Sequence, residues 1–197
     1  LHPVPDGIPD RDAVFVEPLA AACRIIEQIA VTPSTRVAVL GDGRLGLLVA
    51  QVLVTTGASP VLFGRHEDRL SLARSLGIEA RATFAAPLPP ADRFDVVVEV
   101  TGRADGLEQA LTAVVPRGTV ILKTTVHDRA PLDTSPIVVD EVTIVGSRCG
   151  PFRPAIQLLA SGAVQVAPLV DRVHPLEEWA EAVAEASRGL KVLFEVE

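Results

Sequence analysis

The sequence predicts an α/β fold, a doubly wound parallel sheet, on three observations. Short apolar runs alternate with stretches of helical periodicity along most of the chain. The runs are continuous, without in–out alternation, so helices must cover both faces of the sheet they form. A glycine-rich turn, Gly41-Asp-Gly43-Arg-Leu-Gly46, joins one such run directly to the next helical stretch. Crossovers in this fold class are right-handed, and a ligand lies at the carboxyl ends of the strands.

Residues 1–12 are rich in Pro and Asp and read as loop. Glu17 to Ile29 reads as a helix, with Leu19, Ala22, Ile25, Ile26 and Ile29 on one face and Glu17-Pro18 suited to its start. Arg36 to Leu40 is a buried strand, Leu45 to Thr56 an apolar helix closed by Gly57, and Pro60 to Phe63 a second strand. His66 to Leu76 is an amphipathic helix closed by Gly77. Residues 80–94, with Pro87, Pro89 and Pro90, read as loop. Phe94 to Val100 is a strand, Asp105 to Val115 a helix, and Gly118 to Leu122 and Glu141 to Val145 are strands. Helices follow at Pro151 to Ser161 and Pro175 to Ser187, and Lys191 to Val196 closes as a strand. In the usual doubly wound order, the Glu141–Val145 strand lies at a sheet edge, where apolar side chains favour pairing into a homodimer.

Composition narrows the function. The formal charge is −7 and no basic run occurs, which argues against nucleic acid and anionic membrane surfaces as partners. No apolar stretch approaches a membrane span, and the first ten residues lack a signal-peptide pattern. Cys23 and Cys149 are too few for a disulfide framework or a Cys-rich zinc site, and are expected to be buried reduced thiols of a cytoplasmic protein. His2, His66, His127 and His174 show no metal-ligand spacing and are expected at the surface. The chain begins with Leu1 and contains no Met, so it is expected to be a piece or a processed form of a longer protein.

The turn Gly41-x-Gly43-x-x-Gly46 follows a strand, opens a helix, and precedes a second strand within the roughly 30 residues of a βαβ unit. That context makes it a dinucleotide fingerprint, and the fold a Rossmann dinucleotide-binding fold. Gly41 permits the tight turn, Gly43 lets backbone approach a pyrophosphate, and Gly46 lets the helix press on the strand. Arg44 and Leu45 open the helix whose N-terminal N–H groups would face the phosphates. The tip of the second strand, where an NAD enzyme carries an acid for the ribose, reads Gly64-Arg65-His66. There the acid is missing and cations replace it, which suits a 2′-phosphate and favours NADP over NAD. Thr101-Gly102 and Lys123-Thr124 follow strands and are expected to face the cofactor. Glu99 lies in an apolar strand and is read as a strand-end acid bonded to backbone.

The runs Val16-Glu-Pro-Leu-Ala-Ala-Ala, Arg36-Val-Ala-Val-Leu-Gly-Asp-Gly-Arg-Leu-Gly-Leu-Leu, Val98-Glu-Val-Thr-Gly, Gly146-Ser-Arg-Cys-Gly and Leu190-Lys-Val-Leu resemble, in order, the zinc-containing medium-chain alcohol dehydrogenases, especially their threonine, sorbitol and polyol branch. The resemblance implies a cofactor domain over about 33–146. The flanks 1–32 and 147–197 would belong to the catalytic domain, whose GroES-like part and zinc motifs are not in this sequence. It implies that Glu17 approaches a catalytic zinc and that Lys191 reaches the cofactor pyrophosphate. The parent would transfer a hydride between a small alcohol or polyol and nicotinamide, with zinc polarising the alcohol oxygen, while the isolated chain binds cofactor without turnover. The rival readings are a zinc-free quinone or enoyl reductase of the same superfamily, and a non-catalytic nucleotide-binding module.

Overall fold

Six parallel strands form the main sheet: β1 (Val37–Leu40), β2 (Val61–Gly64), β3 (Glu79–Ala82), β4 (Phe94–Glu99), β5 (Val114–Leu122) and β6 (Thr143–Gly146). Their spatial order is β3-β2-β1-β4-β5-β6, so the chain reverses its direction of winding between β1 and β4. A crevice opens at the carboxyl ends of the strands at such a reversal. The computed structural model describes residues 2–84, 86–126 and 132–196.

The helices are α1 (Asp10–Ala13), α2 (Val16–Gln28), α3 (Arg44–Val54), α4 (Glu67–Ser75), α5 (Gly106–Ala113), α6 (Ser135–Val139), α7 (Phe152–Ala160) and α8 (Trp179–Ala186). Alternate residues of β1 explain why its sequence is uniformly apolar. Val37 and Val39 enter one core with α2, α3 and α7, whereas Ala38 and Leu40 enter the other, with Phe63, Phe94 and α5. Every residue of α3 from Gly46 to Leu53 is buried. Burying one Leu of this kind contributes about 1.5–3 kcal/mol. Within that buried run Gln51 is polar, and it exchanges hydrogen bonds with both the N–H and the carbonyl of Gln165. Among the described residues no helix is long and apolar enough to cross a membrane.

Several expectations are corrected. The stretch 80–94, expected as loop, overlaps the edge strand β3, which begins at Glu79 and buries only Ala80. The last strand, β8 (Val192–Glu195), is not part of the main sheet. It pairs in parallel with β7 (Arg172–Pro175), a strand whose mixed composition concealed it. Cys23 is buried, and burial ahead of nearby Glu27 pushes its thiol up to about 11. Cys149, expected to be buried, is exposed. The Glu141–Val145 expectation holds as β6, an edge strand. His127 lies outside the described residues.

His174 is a further correction: it is only 2% exposed. Its Nδ1 lies 2.8 Å from Glu178 Oε2 and its Nε2 2.9 Å from Glu185 Oε2. A neutral imidazole carries one N–H, so donating to both carboxylates requires the imidazolium. Its pKa is accordingly raised, by Glu178 first and Glu185 second. Stability from this clamp of β7 to α8 is present in full below the ordinary His value, about 6.5. It is lost as pH rises through the higher folded value. The melting temperature should therefore fall as pH is raised from about 6.5, and His174→Gln should flatten that part of the profile. An unchanged pH profile in the variant would contradict the clamp.

Candidate functional site

The turn after β1 is held by contacts that leave no room for side chains at two of its glycines. Gly41 adopts φ +125°, and a Cβ there would lie 2.7 Å from the Val100 carbonyl oxygen. A Cβ on Gly46 would strike the Gly41 carbonyl oxygen. Gly43 differs. It caps α3 in extended backbone, φ −73° and ψ 175°, which any residue adopts, and a Cβ there would meet nothing within 4 Å. Fold and space thus require Gly41 and Gly46 and do not require Gly43. In front of Gly43 the first N–H groups of α3 have no intrahelical acceptor and carry the positive end of the helix dipole. Leu45 packs its side chain on the core and offers only backbone to this face. A cleft of about 310 Å³ opens here, lined by the turn, the tip of β2 and the loop after β4.

At the tip of β2, the expectation of a missing acid is corrected. The space beside Gly64 is filled by the carboxylate of Asp42, from the glycine turn; a Cβ on Gly64 would lie 2.5 Å from Asp42 Oδ2. That oxygen accepts the backbone N–H groups of Arg65 and His66, each at 2.7 Å. His66 Nδ1 lies 3.0 Å from Oδ2 and 3.1 Å from Oδ1. Burial alone would push this carboxyl up. The N–H of His66, its ring and the N–H of Arg65 outweigh that and hold it below the usual carboxylate range. Arg65 is exposed at the cleft and forms no ion pair among the described residues; Glu67, which follows nearby, is taken by Arg74 at 2.6 Å. Arg69 and Arg103 also line the cleft. Arg69 Nη2 donates to the Arg188 carbonyl, and Arg103 forks onto Asp105. Neither arginine stands out in the sequence, although Arg69 follows Arg65 by only four residues.

The loops after β4 and β5 are joined through Glu99, which is fully buried. Its Oε1 accepts from the Thr101 N–H and from the hydroxyls of Thr101 and Thr124 at 2.6–2.8 Å. The Gly102 N–H in turn donates to Thr124 Oγ1. Thr101 lines the cleft. Lys123 is turned away from it. Its Nζ donates to the carbonyls of Ala21, Ser147 and Arg148 and to Ser147 Oγ. Burial lowers its pKa to about 8. The expected cofactor lysine is instead a strut between β5, α2 and the segment after β6.

Arg44, at the start of α3, donates to the Leu190 carbonyl and so draws residues 188–191 toward the glycine turn. Asp171 fixes the same segment through the Lys191 N–H. Lys191 Nζ lies 6.0 Å from the centroid of the Phe15 ring, and burial, then Arg44, lower its pKa against the pull of Glu17. Glu17 is exposed. Among the described residues no group of three or more His, Cys, Asp or Glu side chains could hold a metal, so Glu17 is part of no such set.

Residues 45–161 match the family model described as zinc-binding dehydrogenase. The chain belongs to this family. A 2-dehydro-3-deoxy-L-galactonate 5-dehydrogenase of Pseudoalteromonas atlantica is 28% identical over 209 residues, covering 99% of this chain and 61% of that protein. The chain thus spans about three fifths of the length of this curated relative. A zinc-binding dehydrogenase of Sinorhizobium meliloti, solved bound to NADP, superposes with a TM-score of 0.86 at 25% identity, over 98% of this chain and 61% of that one. A short chain alcohol dehydrogenase of Escherichia coli CFT073, in complex with NADH, shares the fold at a TM-score of 0.88 and 22% identity, over 99% and 62% of the two chains.

The turn itself can be tested apart from any ligand. Gly46→Ala forces a methyl group against the Gly41 carbonyl and should cost about 1–3 kcal/mol. Chemical denaturation should show an earlier midpoint with an unchanged slope. A midpoint equal to that of the parent chain would mean that α3 and β1 are not pressed together here.

Proposed function

We propose that this zinc-binding dehydrogenase chain grips a nicotinamide dinucleotide for an enzyme that oxidises a small alcohol or polyol. The observation that carries this reading is the contrast among the three turn glycines. Two are demanded by the fold; the third, Gly43, has open ground in front of it at a helix N-terminus. A pyrophosphate approaching the backbone supplies the reason for that glycine. Residues 33–146 make up the cofactor domain, with 1–32 and 147–197 serving the catalytic part of the parent. Gly41, Gly43, Arg44, Leu45 and Gly46 present the cradle, and Lys191 stands beside it as a second cation. Glu99 fixes the hydroxyl of Thr101 at the cleft, with Gly102 and Thr124 locked behind it.

When bound, the nicotinamide supplies the hydride acceptor, and this chain supplies orientation and charge. A catalytic zinc takes about three protein ligands, and the residues described here do not make up that set. Zinc is therefore assigned to the full-length parent, with Glu17 its single contribution from this chain, and no step of this chain runs through it. The named activity of the Pseudoalteromonas relative, on a polyhydroxylated sugar acid, supports the polyol class. Two free thiols, one of them exposed, suit a cytoplasmic location. The edge position of β6, with Val138 and Val139 of the neighbouring α6 more than 70% exposed, supports a homodimer.

NADP is favoured over NAD because Arg65 and Arg69 face the cleft at the end of β2, where a 2′-phosphate would meet guanidinium forks. Isothermal calorimetry with both dinucleotides tests these readings. Gly43→Val should abolish binding of either one while leaving the fold intact. Arg65→Ala should weaken NADP by about tenfold relative to NAD. Undiminished binding by Gly43→Val would remove the cradle, and an unchanged ratio in Arg65→Ala would remove the 2′-phosphate role. Light scattering at high concentration should give the mass of a dimer; a monomer would count against pairing through β6.

A further inference from the structure

The dinucleotide reading leaves one buried charge in the cleft without a task. In nicotinamide enzymes an acid at the tip of the second strand accepts hydrogen bonds from the adenosine ribose hydroxyls. Here that tip is Gly64, and a carboxylate reaches the same place from Asp42. The two arrangements exclude each other, because any side chain at Gly64 would collide with Asp42. Asp42 is 6% exposed, yet it lines the cleft. Its Oδ2 is committed to the backbone of Arg65 and His66. Its Oδ1 has a single partner among the described residues, His66 Nδ1 at 3.1 Å. A carboxylate offers about four acceptor sites, so Oδ1 retains capacity for a donor from the cleft.

Resting on the reading above, we propose that Asp42 is the specificity-determining residue for the adenosine end. It is a ribose acid moved from the strand tip to the glycine turn, and it accepts the 2′-hydroxyl at Oδ1. Its negative charge opposes the guanidiniums of Arg65 and Arg69. The carboxylate favours a 2′-hydroxyl, the arginines favour a 2′-phosphate, and the ratio of NADP to NAD affinity reports the balance. The site consequently takes both dinucleotides. The pinning of the Arg65 and His66 N–H groups also sets where Arg65 emerges, so one residue positions the cation whose effect it counters.

Three measurements by calorimetry test this. In the parent chain, 2′-deoxy-NAD should bind about tenfold more weakly than NAD, for loss of one hydrogen bond to a charged acceptor. Asp42→Asn, which keeps the shape and removes the charge, should move the affinity ratio about tenfold toward NADP. Asp42→Ala combined with Gly64→Asp returns the acid to the strand tip and should move the ratio back toward NAD. Equal binding of NAD and its 2′-deoxy analogue overturns the proposal whatever the variants do. So does an Asp42→Asn chain, with unchanged melting temperature, that loses both dinucleotides equally, for then Asp42 is only a pin. A parent chain that binds neither dinucleotide overturns the proposed function itself. Normal binding with an unmoved ratio overturns only the assignment of Asp42.

Discussion

The approach of α3 to β1 is the constraint on which the site depends. Gly46 lies against the Gly41 carbonyl, and Gly41 against the Val100 carbonyl, so strand, turn, helix and the end of β4 meet without an intervening side chain. That contact fixes where α3 begins. It places the positive end of the helix dipole at the carboxyl edge of the sheet, beside the reversal point between β1 and β4. The buried run Gly46–Leu53 of α3, apolar except for Gln51, follows from the same geometry: a helix pressed on the sheet and covered by α2 leaves that run no face for water.

Charge is placed around that frame by hydrogen bonds from backbone more than by ion pairs. Asp42 is held by N–H groups of the β2 tip, Glu99 by an N–H and two threonine hydroxyls, and Lys123 chiefly by carbonyls. Such partners cannot move independently of the fold, so the buried charges are preorganised rather than mobile. The exposed pairs, such as Arg24–Glu27 and Arg81–Glu79, contribute little to stability. The chain has only two lysines; one braces loops from inside and the other lies over the Phe15 ring, near Arg44 and Glu17.

What could be read in the sequence follows burial. β1, most of β4 and the run Gly46–Leu53 of α3 are buried, so their composition alone announces them. β3 buries only Ala80 of Glu79–Ala82, and β7 only His174, and a strand with one buried residue carries no pattern. At the site, the turn glycines were legible because steric exclusion is local. The role of Asp42 was not, because a residue between two fingerprint glycines reads as a spacer. The signal available was the pairing of an acid in the turn with a glycine at the strand tip. The direction of Lys123 is not legible in the sequence, because a strand-end position fixes the backbone but not the direction of a long side chain. His174 reads as a surface residue in the sequence because its two carboxylates lie on the following turn and helix, where no spacing rule connects them to a strand.

The two edges of the sheet are unlike, and this governs what kind of assembly the chain can build. β3 ends one side with Glu79 and Arg81, while β6 ends the other with Ile144 and Val145 only partly covered. A sheet with two adhesive margins can extend through copy after copy. A sheet with one is spent once that margin meets its own image across a two-fold axis. In the homodimer proposed above, pairing through β6 would end growth at two copies, with the charged margin as the stop against fibre formation.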